Sequence, residues 1–206
     1  MPRPTQPLIS SELAVRTALE MIDADGLDAF SIEGLGRRLN VRGQSIYHHF
    51  NNKADLLANV ARRMFQEIPM LISGRNQSPW DEQLMWIAGE FRRVLLQHPR
   101  ALPLLLTYSP RYVVPEAYEY ALRAIADAGV PTRYRHQLIY GLDKLVLGAI
   151  LTHTTDADPA RELGAFDSPA HPHLAEAISA ELADPDQMFA GACRAYIDGV
   201  RQLADG

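Results

Sequence analysis

The chain has 206 residues, 47% of them hydrophobic and 22% charged, which suits one generous domain or a small domain joined to a larger one. That composition is too apolar for a disordered coil, and no stretch reaches the roughly 18 consecutive apolar residues of a membrane span. A single cysteine, Cys193, excludes an intrachain disulfide framework and a cysteine-based zinc knuckle, and the first residues lack the apolar run of a signal peptide, so the expected compartment is the cytoplasm. The net charge of −5 argues against a general nucleic-acid binder, but residues 31–63 carry six Lys/Arg against two Asp/Glu, a basic island on an acidic body.

Apolar residues recur at helical spacing almost from end to end and no segment alternates as a strand does, so an all-α fold is predicted. A first helix follows the Ser10-Ser11 cap with Val15, Ala18, Leu19 and Ile22 inward, and stops at Asp25-Gly26. A second follows Ser31 with Ile32, Leu35 and Leu39 inward, and residues 40–43 offer the tight turn of an αα corner before a two-turn third helix over 43–49. Asn51-Asn52 caps a fourth helix whose stripe is Leu56, Leu57, Val60, Met64, Phe65 and Ile68. Beyond a boundary at 73–79, helices are predicted over 80–97, about 101–107, between Pro115 and Gly129, over 133–153, over 173–182, and from Asp184-Pro185 to the end, with a loop over 154–172. Three segments are read: 1–55, holding the first three helices; 56–75, a connecting helix and linker; and 76–206, a larger helical domain.

The first three helices have the layout of a helix-turn-helix: Val41, Ile46 and Phe50 anchor the third helix. Arg42, Gln44, Ser45, Tyr47, His48 and His49 are left facing outward, a mixture of phosphate partners and base-edge readers. Gly43 would let the start of that helix approach a phosphate closely.

The wording of residues 10–65, above all Ile46-Tyr47-His48-His49-Phe50-Asn51-Asn52-Lys53-Ala54-Asp55-Leu56-Leu57, resembles the DNA-binding domain of the tetracycline repressor (TetR) family. The resemblance implies Tyr47 and Lys53 on phosphates, Gln44, Ser45 and His48 as base readers, His49 between those roles, and Ile32 and Glu33 at the groove edge. Gly43 departs from the family's namesake, where a longer side chain reads a base, so that operator cannot be borrowed. A patchier similarity over residues 78–203 rests on Ser78-Pro79-Trp80, Phe91-Arg92-Arg93, Pro110 and the LVLGAIL stretch. It fails where the namesake holds drug and metal: Leu105 and Thr152 stand at metal-ligand positions and Pro69 and Ile87 at drug contacts, only Phe91 keeping its type. No metal or other cofactor is expected.

Met64, Met85, Trp86, Ile87, Phe91, Leu105, Tyr108 and Tyr112 are read as lining for an apolar effector pocket, since two Trp and several Met overload an ordinary core. Leu142, Val146, Leu147 and Ile150, with Phe189, Tyr196 and Val200, are read as a homodimer interface, because the helix over 133–153 is apolar nearly all round. Core packing is the alternative for the aromatic group, and a small buried hydrophobe is the reading of Cys193. His48-His49 cannot both turn to one metal ion from adjacent helical positions. His98 is read as capping helix-end carbonyls, and His171 and His173 as solvated. The function expected is a ligand-responsive transcriptional regulator, a repressor with double-stranded operator DNA, a second copy of itself and a small effector as partners, and no membrane. The rivals are a helical interaction module that no longer binds DNA and a small all-α enzyme; the latter lacks a metal-binding His-Glu pair, a phosphate loop and a nucleophile elbow.

Overall fold

The computed structural model describes residues 9–66, 68, 78–153, 170–179 and 184–205. Among them every regular element is helical and none is a strand: α1 (Ser11–Asp25), α2 (Ile32–Arg38), α3 (Gly43–Ile46), α4 (Lys53–Phe65), α5 (Trp80–Gln97), a 3₁₀ turn (Pro99–Ala101), α6 (Pro103–Thr107), α7 (Pro110–Val113), α8 (Pro115–Asp127), α9 (Thr132–His153), α10 (Pro172–Ser179) and α11 (Pro185–Asp205). The linker over 73–77 and most of the predicted loop, 154–169, lie outside the described residues.

Two compact units divide the chain, one from the described parts of Met1–Asn76 and Arg93–Tyr120, the other from those of Gln77–Arg92 and Ala121–Gly206. In the first, each N-terminal helix starts where a side chain takes an orphan amide: Ser10 Oγ accepts from Leu13 N at 3.1 Å, Ser31 Oγ from Gly34 N at 3.1 Å, and Asn52 Oδ1 from Asp55 N at 2.9 Å. Asp55 Oδ2 in turn accepts from the Asn51 backbone at 2.9 Å, closing a reciprocal cap on α4. α1 ends at Gly26, whose φ of 86° is the left-handed geometry that a side chain disfavours. α1 packs on α4 through Ala14, Ala18, Leu19 and Ile22 against Leu56, Val60, Ala61 and Met64, all buried. α6 and α7 also lie against α4, and the 3₁₀ turn lies against α1.

The second unit is organised by α9 crossing α11. Leu138, Leu142, Val146 and Ile150 on α9 and Phe189, Cys193, Ile197 and Val200 on α11 are buried, each stripe repeating every three or four residues. Burial pushes the Cys193 thiol up to about 11, so this side chain stays a neutral packing group. At Gly141 the Tyr196 ring lies where a Cβ would stand, and its hydroxyl donates to Gln137 O at 2.6 Å. Asp81 at the start of α5 accepts from Arg194 at 3.0 Å and Arg201 at 2.6 Å, and Arg201 also lies over the Trp80 ring. Burial raises the Asp81 carboxyl, but the Arg201 hydrogen bond and charge and the backbone amides of Asp81 and Glu82 outweigh it, leaving it below the usual carboxylate range.

Two expectations need correction. The third helix ends as α-helix at Ile46, and Tyr47, His48 and His49 continue it with bonds to the residue three before, at 3.2, 3.3 and 3.0 Å. α7, a single turn opened by Pro110, has no counterpart in the prediction, being too short to show a period. The helix over 133–153 is buried along one stripe within this chain, while Tyr140 and Leu151 stand 48% and 49% exposed.

Candidate nucleic-acid interface

What brings α3 to the surface is its seat on α2. A Cβ built at Gly36 would come within 2.9 Å of both Val41 O and Gly43 N, so the turn and the first residue of α3 rest directly on the α2 backbone. Val41 N donates to Gly36 O at 2.9 Å across the same contact. Asn40 makes the reversal with a φ of 56°, a conformation its short amide side chain tolerates. With Ile46 and Phe50 buried below, Gln44, Tyr47 and His48 form an exposed face at one-turn spacing, and Tyr47 is 44% exposed. Ser45 and His49 are half-buried beside it, and Arg42, the residue preceding α3, is exposed and makes no capping bond.

Not every predicted contact reaches that surface. Ile32 is buried under α3, so its groove-edge role is set aside; Glu33 beside it is exposed. Gly43 is half-buried, and the space its missing side chain leaves points at Ile32 and the Glu33 backbone. A Cβ there would meet them at ordinary contact distances of 3.5–3.7 Å, so the α2–α3 contact leaves room for a side chain at this position. Lys53 does reach the surface: it is exposed, and its ammonium donates to Phe30 O at 3.0 Å, 5.5 Å from the Phe30 ring centroid. Arg37 and Arg38, counted in the basic island but given no role, are exposed in the last turn of α2.

Further basic side chains tie these helices to residues 98–113 of the same unit. His98 Nδ1 lies 2.8 Å from Asp23 Oδ2, so this histidine pairs with a carboxylate and does not cap its own helix; Asp23 Oδ1 and His98 Nε2 are buried without partners. Arg100 donates to Ala24 O, supplying the cation that the last turn of α1 lacks, and Arg62 Nε donates to Val113 O at 3.0 Å. The 75-residue separation of Asp23 and His98 hides this pair from any local pattern.

The predicted pocket residues fall in both units. Met64 and Leu105 are buried in the first, where Tyr108 is half-buried and Tyr112, with Arg111 over its ring, is 73% exposed. Phe91 is buried in the second, where Met85, Trp86 and Ile87 are half-buried. Pro69 and the Thr152 side chain lie outside the described residues. Of the predicted dimer residues, Leu142, Val146, Ile150, Phe189 and Val200 are covered by the chain's own α9–α11 packing, and Leu147 and Tyr196 are half-buried. The first five are therefore intrachain core, a correction to their reading as free interface. Among the described residues no helix is long and apolar enough to cross a membrane, and no three His, Cys, Asp or Glu are grouped to hold a metal ion.

Residues 14–60 match the model of bacterial regulatory proteins of the tetR family, and residues 74–204 match the tetracyclin repressor-like C-terminal domain. The chain is 27% identical over 189 residues to the class A tetracycline repressor protein from transposon 1721 of Escherichia coli, covering 90% of this chain and 88% of that one. It is 30% identical over 128 residues to an HTH-type transcriptional regulator of Saccharopolyspora erythraea, covering 61% of this chain and 53% of that one, so it spans about half of that relative. Among solved structures, ActR of Streptomyces coelicolor in complex with actinorhodin has a TM-score of 0.76 at 23% identity, covering 96% and 99% of the two chains, and shares the fold. A single-residue variant of TetR from Acinetobacter baumannii in complex with minocycline has a TM-score of 0.72 at 20% identity, covering 95% and 98%. With an exposed reading face on a helix-turn-helix and family matches across both parts of the chain, the protein belongs to the tetR family of bacterial regulatory proteins and is a DNA-binding transcriptional regulator.

Proposed function

We propose that the chain works as a homodimeric, cytoplasmic repressor that holds a near-palindromic operator and lets go when a small lipophilic or partly aromatic molecule binds. The observation that carries the DNA half is the exposed Gln44, Tyr47 and His48 face, flanked by Arg37, Arg38 and Arg42 within the basic island. Side chains with both donors and acceptors read base edges, and the arginines take phosphates. A gel shift with the DNA upstream of its own gene, and with duplexes enriched from a random pool, tests it. No enriched sequence, or one without two similar half-sites, counts against the reading.

A partner surface is supported by the residues α11 leaves outside. Gly191, Ala192, Ala195 and Gly199 are exposed at helical spacing, and nothing stands within 4 Å of a Cβ at either glycine. A glycine inside a helix costs about 1 kcal/mol against alanine, a cost that close approach of a second helix offsets. Ala195→Glu should therefore yield a folded monomer by sedimentation at micromolar concentration. Val200→Glu is a poor probe, because that buried side chain belongs to the monomer core. An Ala195→Glu protein that stays dimeric sinks this assignment.

The effector class is supported by the apolar character of Met85, Trp86, Ile87, Phe91 and Leu105, and by relatives solved with actinorhodin and minocycline. Leu105 at the position of a metal ligand supports binding without metal. A panel of lipophilic aromatic compounds should quench Trp80 or Trp86 fluorescence and release DNA equally with and without EDTA. By linkage, DNA must weaken the hit's affinity by the factor the hit weakens DNA's. A magnesium requirement, or a small highly charged inducer, contradicts the proposal.

A further inference from the structure

Two carboxylates stand among the six Lys/Arg of the basic island over 31–63. Asp55 is engaged in the cap of α4, accepting from Asn51 N and Asn51 Nδ2, each at 2.9 Å. Glu33 has no such duty: it is exposed in the first turn of α2 and makes no hydrogen bond or ion pair among the described residues, although Arg37 stands one turn further along. An acid in a first turn suits the helix dipole, but on a surface that meets phosphates it also lowers affinity for every duplex. Its neighbour across the α2–α3 contact is as unusual. Gly43 opens α3 without the positive φ found among the described glycines at Gly26 and Gly129, and a Cβ there would meet nothing nearer than Ile32 Cγ2 at 3.5 Å. Neither backbone nor packing asks for glycine, which weakens a helix relative to alanine. That Cβ would stand 3.7 Å from the Cα of Glu33, so the glycine leaves clear the border between Glu33 and the first turn of α3. The first turn of a reading helix is the part that meets base edges.

Resting on the DNA-binding function above, we infer that Glu33 determines sequence choice: its carboxylate accepts a hydrogen bond from the N4 amino group of a cytosine at one position of each half-site, and Gly43 keeps its approach clear. An ionised carboxylate can only accept. In the major groove guanine offers the acceptors N7 and O6, thymine the acceptor O4, and adenine a donor beside the acceptor N7, whereas cytosine offers the N4 donor alone. Glu33 therefore gives up affinity for duplexes in general and gains discrimination at one base pair.

Enrichment from a random duplex pool, run with the full chain and with Glu33→Gln and Glu33→Ala, tests this. Each half-site bound by the unmutated protein should hold a cytosine preferred about tenfold over the other bases at its position. Glu33→Gln keeps the size of an exposed side chain and gains a donor. It should pass the preference at that position to adenine, whose N6 and N7 an amide pairs with, and leave the rest of the site as it was. Glu33→Ala should lose the preference there and bind a mixed-sequence duplex more tightly, since a charge that repels phosphates is gone. Gly43→Leu fills the cleared border: it should melt no lower than the unmutated protein and still lose the cytosine preference. A helix-dipole role alone predicts a lower melting temperature in Glu33→Gln and Glu33→Ala with an unchanged site, and that result overturns the inference. Tighter binding of all duplexes by Glu33→Ala with every base preference kept does so too, because Glu33 is then only a surface charge. A Gly43→Leu protein that keeps the cytosine preference overturns the part given to Gly43. If the unmutated protein enriches no sequence, the DNA reading itself fails; a site that it enriches and that neither Glu33 substitution alters overturns this inference alone.

Discussion

Gly36→Val is expected to abolish selective DNA binding and to lower stability by about 3 kcal/mol, the upper part of the usual overpacking range. Its first carbon alone would press to 2.9 Å on Val41 O and Gly43 N, backbone atoms that cannot rotate away as a side chain would. The branch methyls then force α3 off α2, and the reading face moves with it. Gly36→Ala should do the same in smaller measure, since better helix propensity offsets about 1 kcal/mol of the strain. Gly89→Ala on α5, where no atom lies within 4 Å, should instead stabilise by about 0.5–1 kcal/mol. Thermal melts and gel shifts of the three variants check this. A Gly36→Val protein that melts and binds like the parent would show that α2 and α3 do not meet as described.

The contrast between Gly36 and Gly43 shows where sequence reading stops. Both lie in the helix-turn-helix, and the chain's pattern draws attention to Gly43 because it opens the third helix. Only the packing reveals that Gly36 is the one without room for a side chain. Local features were legible: Ser10, Ser31 and Asn52 each cap the helix they precede, because a cap and the amides it satisfies lie within three residues. The stripe of α4 was legible for the same reason of short range. A helical period reports that a face is covered, however, and not by what. Leu142, Val146 and Ile150 read as facing a second chain, yet they are already buried within this one, where α9 packs on α11. Ile32 fits a family motif that carries a role by analogy, and such analogy does not say what a side chain's bulk meets in the fold, where Ile32 is buried.

His98→Ala is expected to cost about 1–3 kcal/mol and several degrees of melting temperature, a large effect for one side chain off the reading face. The imidazole is 12% exposed and Asp23 30%, so removing the ring leaves a mostly buried carboxylate whose Oδ1 already lacks a partner with Oδ2 unpaired as well. Asp23 and Asp25 also sit at the negative end of the α1 dipole, where a carboxylate is disfavoured unless a cation or donor answers it. His98 and Arg100 answer it, so the loss should concentrate in the last turn of α1, seen as faster exchange of its amides. Asp23→Ala in the same background should add little, because the two residues act as one pair; a double-mutant cycle should return an interaction of about 1 kcal/mol or more. α1 belongs to the DNA-reading helices, and the 98–113 segment meets it here and meets α4 at Arg62. DNA affinity of the folded His98→Ala protein should change little, because the pair lies off the reading face. Fully additive losses in the cycle, or unchanged exchange in the last turn of α1, would show that the pair has no part in holding α1.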